Sequence, residues 1–243
     1  MGALLANPLS TQPPPASTDV WSPARFVVYD GIDGSGKGTH VGVLTRLLKI
    51  MRVPFIQTKQ PGGSAYGDEV RRILFETVGT TNIAPDALEL LFMSNHAHNC
   101  ALIKDALAQG KWVVADRWSP SAIAYMHQRS ANSRIQQWYR MMLEEVPWDA
   151  FFLLTGDPAI LLERARARTS ESHQSAKKWN SVEAMSVINE AFLREFANDS
   201  RTKQVRTDLT TTENEFRIMV LPTLRELGLF PKESQVKEAV RVQ

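Results

Sequence analysis

The segment from Tyr29 to His40 reads Y-D-G-I-D-G-S-G-K-G-T-H. It stands between the apolar run Phe26-Val27-Val28 and a helical pattern from Val41 to Ile50. A β-rich run, a glycine-rich turn and a helix in that order demand a strand that ends where a helix begins. Gly31, Gly34 and Gly36 let the backbone turn tightly and aim its N–H groups inward, and the helix adds the partial positive charge of its N-terminus. This is a cradle for phosphate. Lys37 is placed to reach the outer phosphates of a nucleoside triphosphate as a point charge. The pattern G-x-x-x-x-G-K-[ST] is met from Gly31 to Lys37 and then broken by Gly38, so the metal-binding hydroxyl arrives one residue late, at Thr39. Asp33 and Ser35 complete the expected ATP-binding loop.

Similar punctuation continues along the chain. Phe26 to Asp30, Pro54 to Thr58, Lys111 to Asp116, Asp149 to Thr155 and Gln204 to Thr207 read as strands. Helical patterns run to about Met51, then through Arg72 and Phe75, and from near Asp86 to Gly110. Others run from Ser119 to Met126, onward from Pro158, and from Asn214 to Leu227. Alternation of this kind predicts an α/β fold: a parallel sheet of about five strands with helices on both faces and ligands at the carboxyl ends of the strands.

With 243 residues and a net charge of +2, the chain has room for one large domain and no electrostatic case for a nucleic-acid surface. Cys100, the single cysteine, cannot form an internal disulfide, in keeping with a reducing cytoplasm. No stretch is apolar enough to span a membrane, and Ala3-Leu4-Leu5-Ala6 is too short for a signal peptide. The proline-rich residues 1–24 read as a flexible tail, 25–230 as the domain and 231–243 as a C-terminal tail. Between two helix-like stretches, about 165–182, a charged segment reads as a lid. Arg164, Arg166 and Arg168 lead into it, and Lys177 and Lys178 lie inside it. Cations that close over phosphates suit phosphoryl transfer.

Asp116-Arg117-Trp118 follows a strand end, where α/β proteins place working residues. Arg117 can grip a phosphate bidentately, and Asp116 can hold metal-bound water or orient Arg117. On the third helix Leu88, Leu91, Phe92, Leu102, Ile103 and Ala106 form an apolar face, interrupted by Asn95, Asn99 and nearby His96. Polar groups there need partners. They bond to neighbouring backbone, or they line a pocket in which Phe92 stacks on a flat base while Asn95 or His96 reads its edge.

From Arg25 to about Leu227 these motifs resemble, in order, those of the thymidylate kinase family, a group of P-loop nucleoside monophosphate kinases. The carriers are Tyr29 to Lys37, the turn Pro61-Gly62-Gly63-Ser64, and Asp116-Arg117-Trp118-Ser119-Pro120-Ser121-Ala122-Ile123-Ala124-Tyr125, which is similar to the family's D-R-[YH]-x-x-S-x-x-A-Y. The resemblance implies phosphorylation of dTMP to dTDP by ATP with Mg²⁺, in deoxynucleotide biosynthesis, by a homodimer. It implies Asp33 near the acceptor's phosphate and 3′-hydroxyl, Arg117 on that phosphate, Tyr125 against the deoxyribose and Phe92 on the base. Ser121 and Asp116 belong to the same acceptor segment. Mg²⁺ would be held through water by Thr39, Asp33 or Asp116. Because Gly34 stands where some members carry a catalytic arginine, the lid must supply that charge, from Arg164 or Arg168 with Lys177 and Lys178. His96 stands where the family has a base-reading arginine, and Lys59-Gln60 where it has Arg-Glu. These departures leave dUMP or a 5-substituted dUMP as alternative acceptors. Beyond them stand a hydroxymethylated base in DNA and, from another class, a nucleotide-gated switch protein.

Overall fold

A computed structural model describes residues 24–77, 83–126, 132–167, 181–209, 212–229 and 232–241. The expected N-terminal tail and most of the lid, including Arg168, Lys177 and Lys178, lie outside these residues.

The core is a five-stranded sheet of order β2-β3-β1-β4-β5, parallel throughout. Its strands are β1 (Phe26–Gly31), β2 (Phe55–Lys59), β3 (Trp112–Asp116), β4 (Ala150–Thr155) and β5 (Thr202–Arg206). Every residue of β1 and β4 is buried, which explains why they read as unbroken apolar runs. Val28 sits level with Ala115 on one side and Phe151 on the other, so the three central strands share one register.

Period-2 alternation divides these strands between two cores. Phe26, Val28, Val113, Ala115, Phe151 and Leu153 face one layer. There they meet α3 (Pro85–Ala108), α4 (Ser119–Met126), α5 (Ser133–Glu145) and α7 (Val182–Phe196). Val27, Tyr29, Val114, Phe152, Leu154 and Val205 face the other, covered by α1 (Lys37–Ile50) and the C-terminal helices. The helix after β1 thus packs on one face and the helix after β3 on the opposite face, although β1 and β3 are neighbours. Their connecting loops part at the carboxyl edge, and a crevice opens between them.

The sequence-predicted elements recur with most ends shifted by one or two residues, and α1 starts four residues before the expected Val41. A helix not anticipated, α5, carries Ile135, Tyr139 and Met142 inward and is capped by the Asn132 side chain, which accepts from the Arg134 amide at 3.1 Å. The closing helix is interrupted: α8 (Thr212–Glu215) runs into a π-helical turn at Phe216–Val220 and then α9 (Leu221–Glu226). Pro222 explains the break, since it has no N–H to offer the carbonyl four residues earlier. The C-terminal stretch is not a tail. Residues Glu233–Arg241 form α10, which buries Val236 and Ala239 against α1, with the Arg46 guanidinium donating to the Ala239 carbonyl. Val236, Ala239 and Val240 stand at i, i+3 and i+4, a helical spacing that a reading by composition passes over. The segment read from the sequence as a lid lies between α6 (Pro158–Ala167) and α7.

Candidate active site

The loop after β1 has the backbone that its glycines require. Gly31, Gly34 and Gly36 all take positive φ, at 144°, 83° and 82°. At Gly34 the constraint is also spatial, because a β-carbon there would fall 1.8 Å from the carbonyl oxygen of Leu161. An arginine cannot stand at this position without moving α6 off the loop. α1 begins at Lys37 after Gly36, which makes no side-chain cap bond, and a helix N-terminus of this kind favours an anion.

Lys37 lies folded over the loop, its Nζ donating to the carbonyls of Gly31 at 3.1 Å and Ile32 at 2.8 Å. Burial pushes its pKa down to about 8, and neighbouring Arg117 adds to the fall, while Asp33, Asp116 and Asp30 pull the other way. A phosphate would relieve both unfavourable contributions.

Arg117 faces this loop from the end of β3. Its backbone is left-handed, φ 70°, and its amide donates to the Tyr29 carbonyl at 2.9 Å. Nη1 donates to the Gly31 carbonyl at 3.1 Å and to Ser121 Oγ at 3.0 Å, and Nη2 donates to Asp33 Oδ1. The guanidinium carbon lies 5.5 Å from the centre of the Tyr125 ring, which in turn meets Phe192 edge-on at 6.4 Å. Burial works against the charge on Arg117, but Tyr125, Asp33, Asp30 and Asp116 outweigh it and hold the pKa above its ordinary value. So Lys37, Asp33, Asp116, Arg117, Ser121 and Tyr125 converge on one crevice. Phe92 is half-buried between the main core and a small cluster of Val70, Leu74 and Leu88.

Three polar residues of α3 do something other than read a ligand. Asn95 exchanges two hydrogen bonds with Gly62, accepting from its amide at 2.9 Å and donating to its carbonyl at 3.2 Å. Asn99 donates to the same carbonyl at 2.9 Å. Both are fully buried and tie the turn after β2 to α3, so Asn95 is not free to read a base edge. His96 is also fully buried, its ring tilted at 37° against Trp118 with centroids 4.2 Å apart and its Nδ1 within 3.0 Å of the Gln60 side chain. Nε2 is buried without a hydrogen-bond partner among the described residues. Burial pushes the ring down to about 4, against smaller pulls from Met142 and Glu145, so it is neutral near pH 7. The neutral ring is enclosed between Trp118 and Gln60, so the expected contact of His96 with a base would require this packing to open.

In the lid region Arg164 donates from Nη1 to the Thr207 carbonyl at 2.6 Å, fastening α6 to the segment after β5. Arg166 is exposed on the same helix. Among the described residues no cluster of three or more His, Cys, Asp or Glu could hold a metal, and no helix is long and apolar enough to cross a membrane. Two residues at the crevice went unnoticed in the sequence. Asp30 is a wholly buried carboxylate next to the loop, and Arg71 donates to the Pro61 carbonyl at 3.1 Å with its guanidinium over Phe75. An aspartate ending an otherwise apolar strand was the available signal for the first. The second sits on an ordinary polar helix face, where nothing distinguishes it.

Comparison with known proteins agrees with this arrangement. A family model described as Thymidylate kinase matches residues 29–218. The chain belongs to the thymidylate kinase family. A thymidylate kinase of Rhodopseudomonas palustris (strain BisB18) is 28% identical over 220 residues, covering 88% of this chain and 94% of the relative. One from Bifidobacterium longum (strain NCC 2705) is 30% identical over 219 residues, covering 88% and 97%. One from Magnetococcus marinus is 29% identical over 174 residues, covering 70% and 81%. The family match spans the phosphate loop, the turn after β2, the Arg117 segment and the lid, so every motif of the crevice lies within it.

Proposed function

We propose that this protein transfers the γ-phosphoryl group of ATP to the phosphate of deoxythymidine monophosphate, with the residues of the crevice in the roles that follow. The observation that carries this reading is the convergence of a lysine-bearing phosphate loop with a second cationic site, Arg117 with Ser121 and Tyr125, at the carboxyl edge of β1 and β3. A nucleotide-gated switch needs one nucleotide site and would leave that second group without a purpose.

ATP lies with its outer phosphates on the loop amides and Lys37. The acceptor's phosphate meets Arg117, whose fork suits two phosphate oxygens. An acceptor oxygen that already carries negative charge attacks the γ-phosphorus in line while the bond to the oxygen shared with the β-phosphate breaks and ADP leaves, so no protein base is required. The chain's contribution is alignment and neutralisation: Lys37 and the α1 amides on the donor side, Arg117 on the acceptor side. Phe92 stacks on the base and Tyr125 packs on the sugar. Mg²⁺ suits the oxygen donors at this edge, since an Asp116 carboxylate oxygen lies 3.8 Å from where a side chain on Gly38 would begin, and Thr39 and Asp33 stand on the same loop. When bound, it would offset the negative charge of the phosphates. With Gly34 closed to any side chain, cations of the lid supply the remaining charge, with Arg164, Arg166, Arg168, Lys177 and Lys178 as the candidates. A homodimer to which α3 contributes and a cytoplasmic setting complete the reading, both on the strength of the family likeness.

The test is ADP formation from ATP with dTMP, dUMP, 5-hydroxymethyl-dUMP, dCMP, dGMP or no acceptor, with and without Mg²⁺. Strong turnover with dTMP supports the proposal. Silence with every monophosphate while ATP still binds overturns it.

A further inference from the structure

Asp30 is the next-to-last residue of β1, beside the phosphate loop, wholly buried, and has no part in the steps above. A carboxylate removed from water is costly unless its lone pairs are filled. Here four donors fill them: the Gly31 amide at 2.8 Å, the Trp118 amide at 3.2 Å, the Ser121 amide at 2.9 Å and the Ser121 hydroxyl at 2.6 Å. Three of the four come from the start of α4, so a side chain on β1 caps a helix that follows β3. Burial pushes the Asp30 carboxyl up, while Arg117, Ser121, Lys37 and the Gly31 amide pull it back.

The geometry has two effects on Arg117. The first concerns the Ser121 hydroxyl, which has one proton and two lone pairs. By donating that proton to Asp30 it must accept from Arg117, whose Nη1 lies 3.0 Å away. The second concerns the backbone. A non-glycine residue at φ 70° is disfavoured by roughly 1–2 kcal/mol and needs its surroundings to hold it. The amide of Arg117 is pinned to the Tyr29 carbonyl and the amide of Trp118 to Asp30, so the turn is tied to β1 on both sides.

We propose that Asp30 is a positioning residue for acceptor binding, holding the turn after β3 and orienting Ser121 so that the guanidinium of Arg117 stays aimed into the crevice. It acts through Arg117 and does not touch the substrate. The inference rests on the reading of Arg117 as the acceptor's phosphate clamp.

A double-mutant cycle on the full chain tests it, with Asp30→Asn, Arg117→Ala and the pair. Calorimetry gives the Kd for dTMP and for ATP, and steady-state rates give KM and kcat. An asparagine keeps the shape but turns one donor-facing oxygen into a donor. In the native background Asp30→Asn should weaken dTMP binding about tenfold or more and ATP binding less than about threefold. In the Arg117→Ala background it should cost dTMP binding less than about threefold. Equal losses in both backgrounds, or a parallel loss of ATP affinity, would mean that Asp30 only stabilises the fold, and the inference fails alone. Unchanged dTMP binding by Arg117→Ala overturns the clamp and this inference together. Should Asp30→Asn not fold, Ser121→Ala carries the same cycle with the same expected non-additivity.

Discussion

Arg117 and Asp33 close on each other across the crevice, Nη2 of the arginine donating to Oδ1 of the aspartate, so the loops after β3 and β1 are joined through two side chains. Arg117 also donates to the Gly31 carbonyl and Ser121 from its other terminal nitrogen. The clamp is therefore organised before an acceptor arrives, and binding needs little further ordering of a long side chain.

A lysine at this position keeps the charge and loses the planar fork. Arg117→Lys cannot meet Asp33, Gly31 and Ser121 at once, and it offers a phosphate one point charge in place of paired donors. The expected loss in kcat/KM for dTMP is about 100-fold, with the Kd for ATP changed by less than about threefold. Steady-state kinetics and calorimetry check this. Equal losses for both nucleotides would remove Arg117 from the acceptor side.

Lys37 is held over the phosphate loop, where its charge is costly to the fold. Its folded pKa is about 8, below the 10.5 of a free lysine. Between those values the unfolded chain binds a proton that the folded chain does not, so this residue makes stability rise with pH across that window. Below it the buried charge is a standing penalty. Lys37→Met should therefore abolish nearly all turnover and melt a few degrees higher than the native chain at pH 7, roughly 2–4 °C for each kcal/mol relieved. In the native chain kcat/KM for ATP should fall as pH rises through about 8, because the free protein loses the ammonium that binds phosphate. Thermal melts and a pH series of initial rates give both readings.

The sheet was legible because parallel strands buried on both faces are short unbroken apolar runs, and the phosphate loop because its chemistry is local. Asn95, Asn99 and His96 were legible only as anomalies. Their position on the inner face of α3 showed that they needed partners, but the partners come from the turn after β2, more than 30 residues earlier in the chain. Nothing local distinguishes a buried amide that holds a turn from one that reads a base. Asp30 was overlooked for the same reason: its donors lie on α4, across the sheet.

His96 now has a structural role to test. Replacing it by alanine empties the space against Trp118 and strands the Gln60 side chain, so about 2–4 kcal/mol of stability should be lost. The ratio of kcat/KM for dTMP to that for dUMP should stay within about threefold of native, because the ring is enclosed and does not reach the acceptor. Denaturant unfolding and paired kinetics decide the matter. A preserved stability with an altered base preference would restore His96 to the binding site.

The C-terminal helix offers a separate test of the fold. α10 covers the outer side of α1, the helix whose first turn cradles phosphate, with Val236 and Ala239 inserted among Val43, Leu47 and their neighbours. Fully burying a valine contributes roughly 1.5–3 kcal/mol, and the Arg46 bond to the Ala239 carbonyl adds to it. Removing residues 230–243 exposes that apolar surface. The truncated chain should melt at least about 5 °C lower and aggregate more readily, while ATP, added in excess, should recover part of the loss by binding only the folded form. A truncation that melts with the native chain would return these residues to the status of a tail.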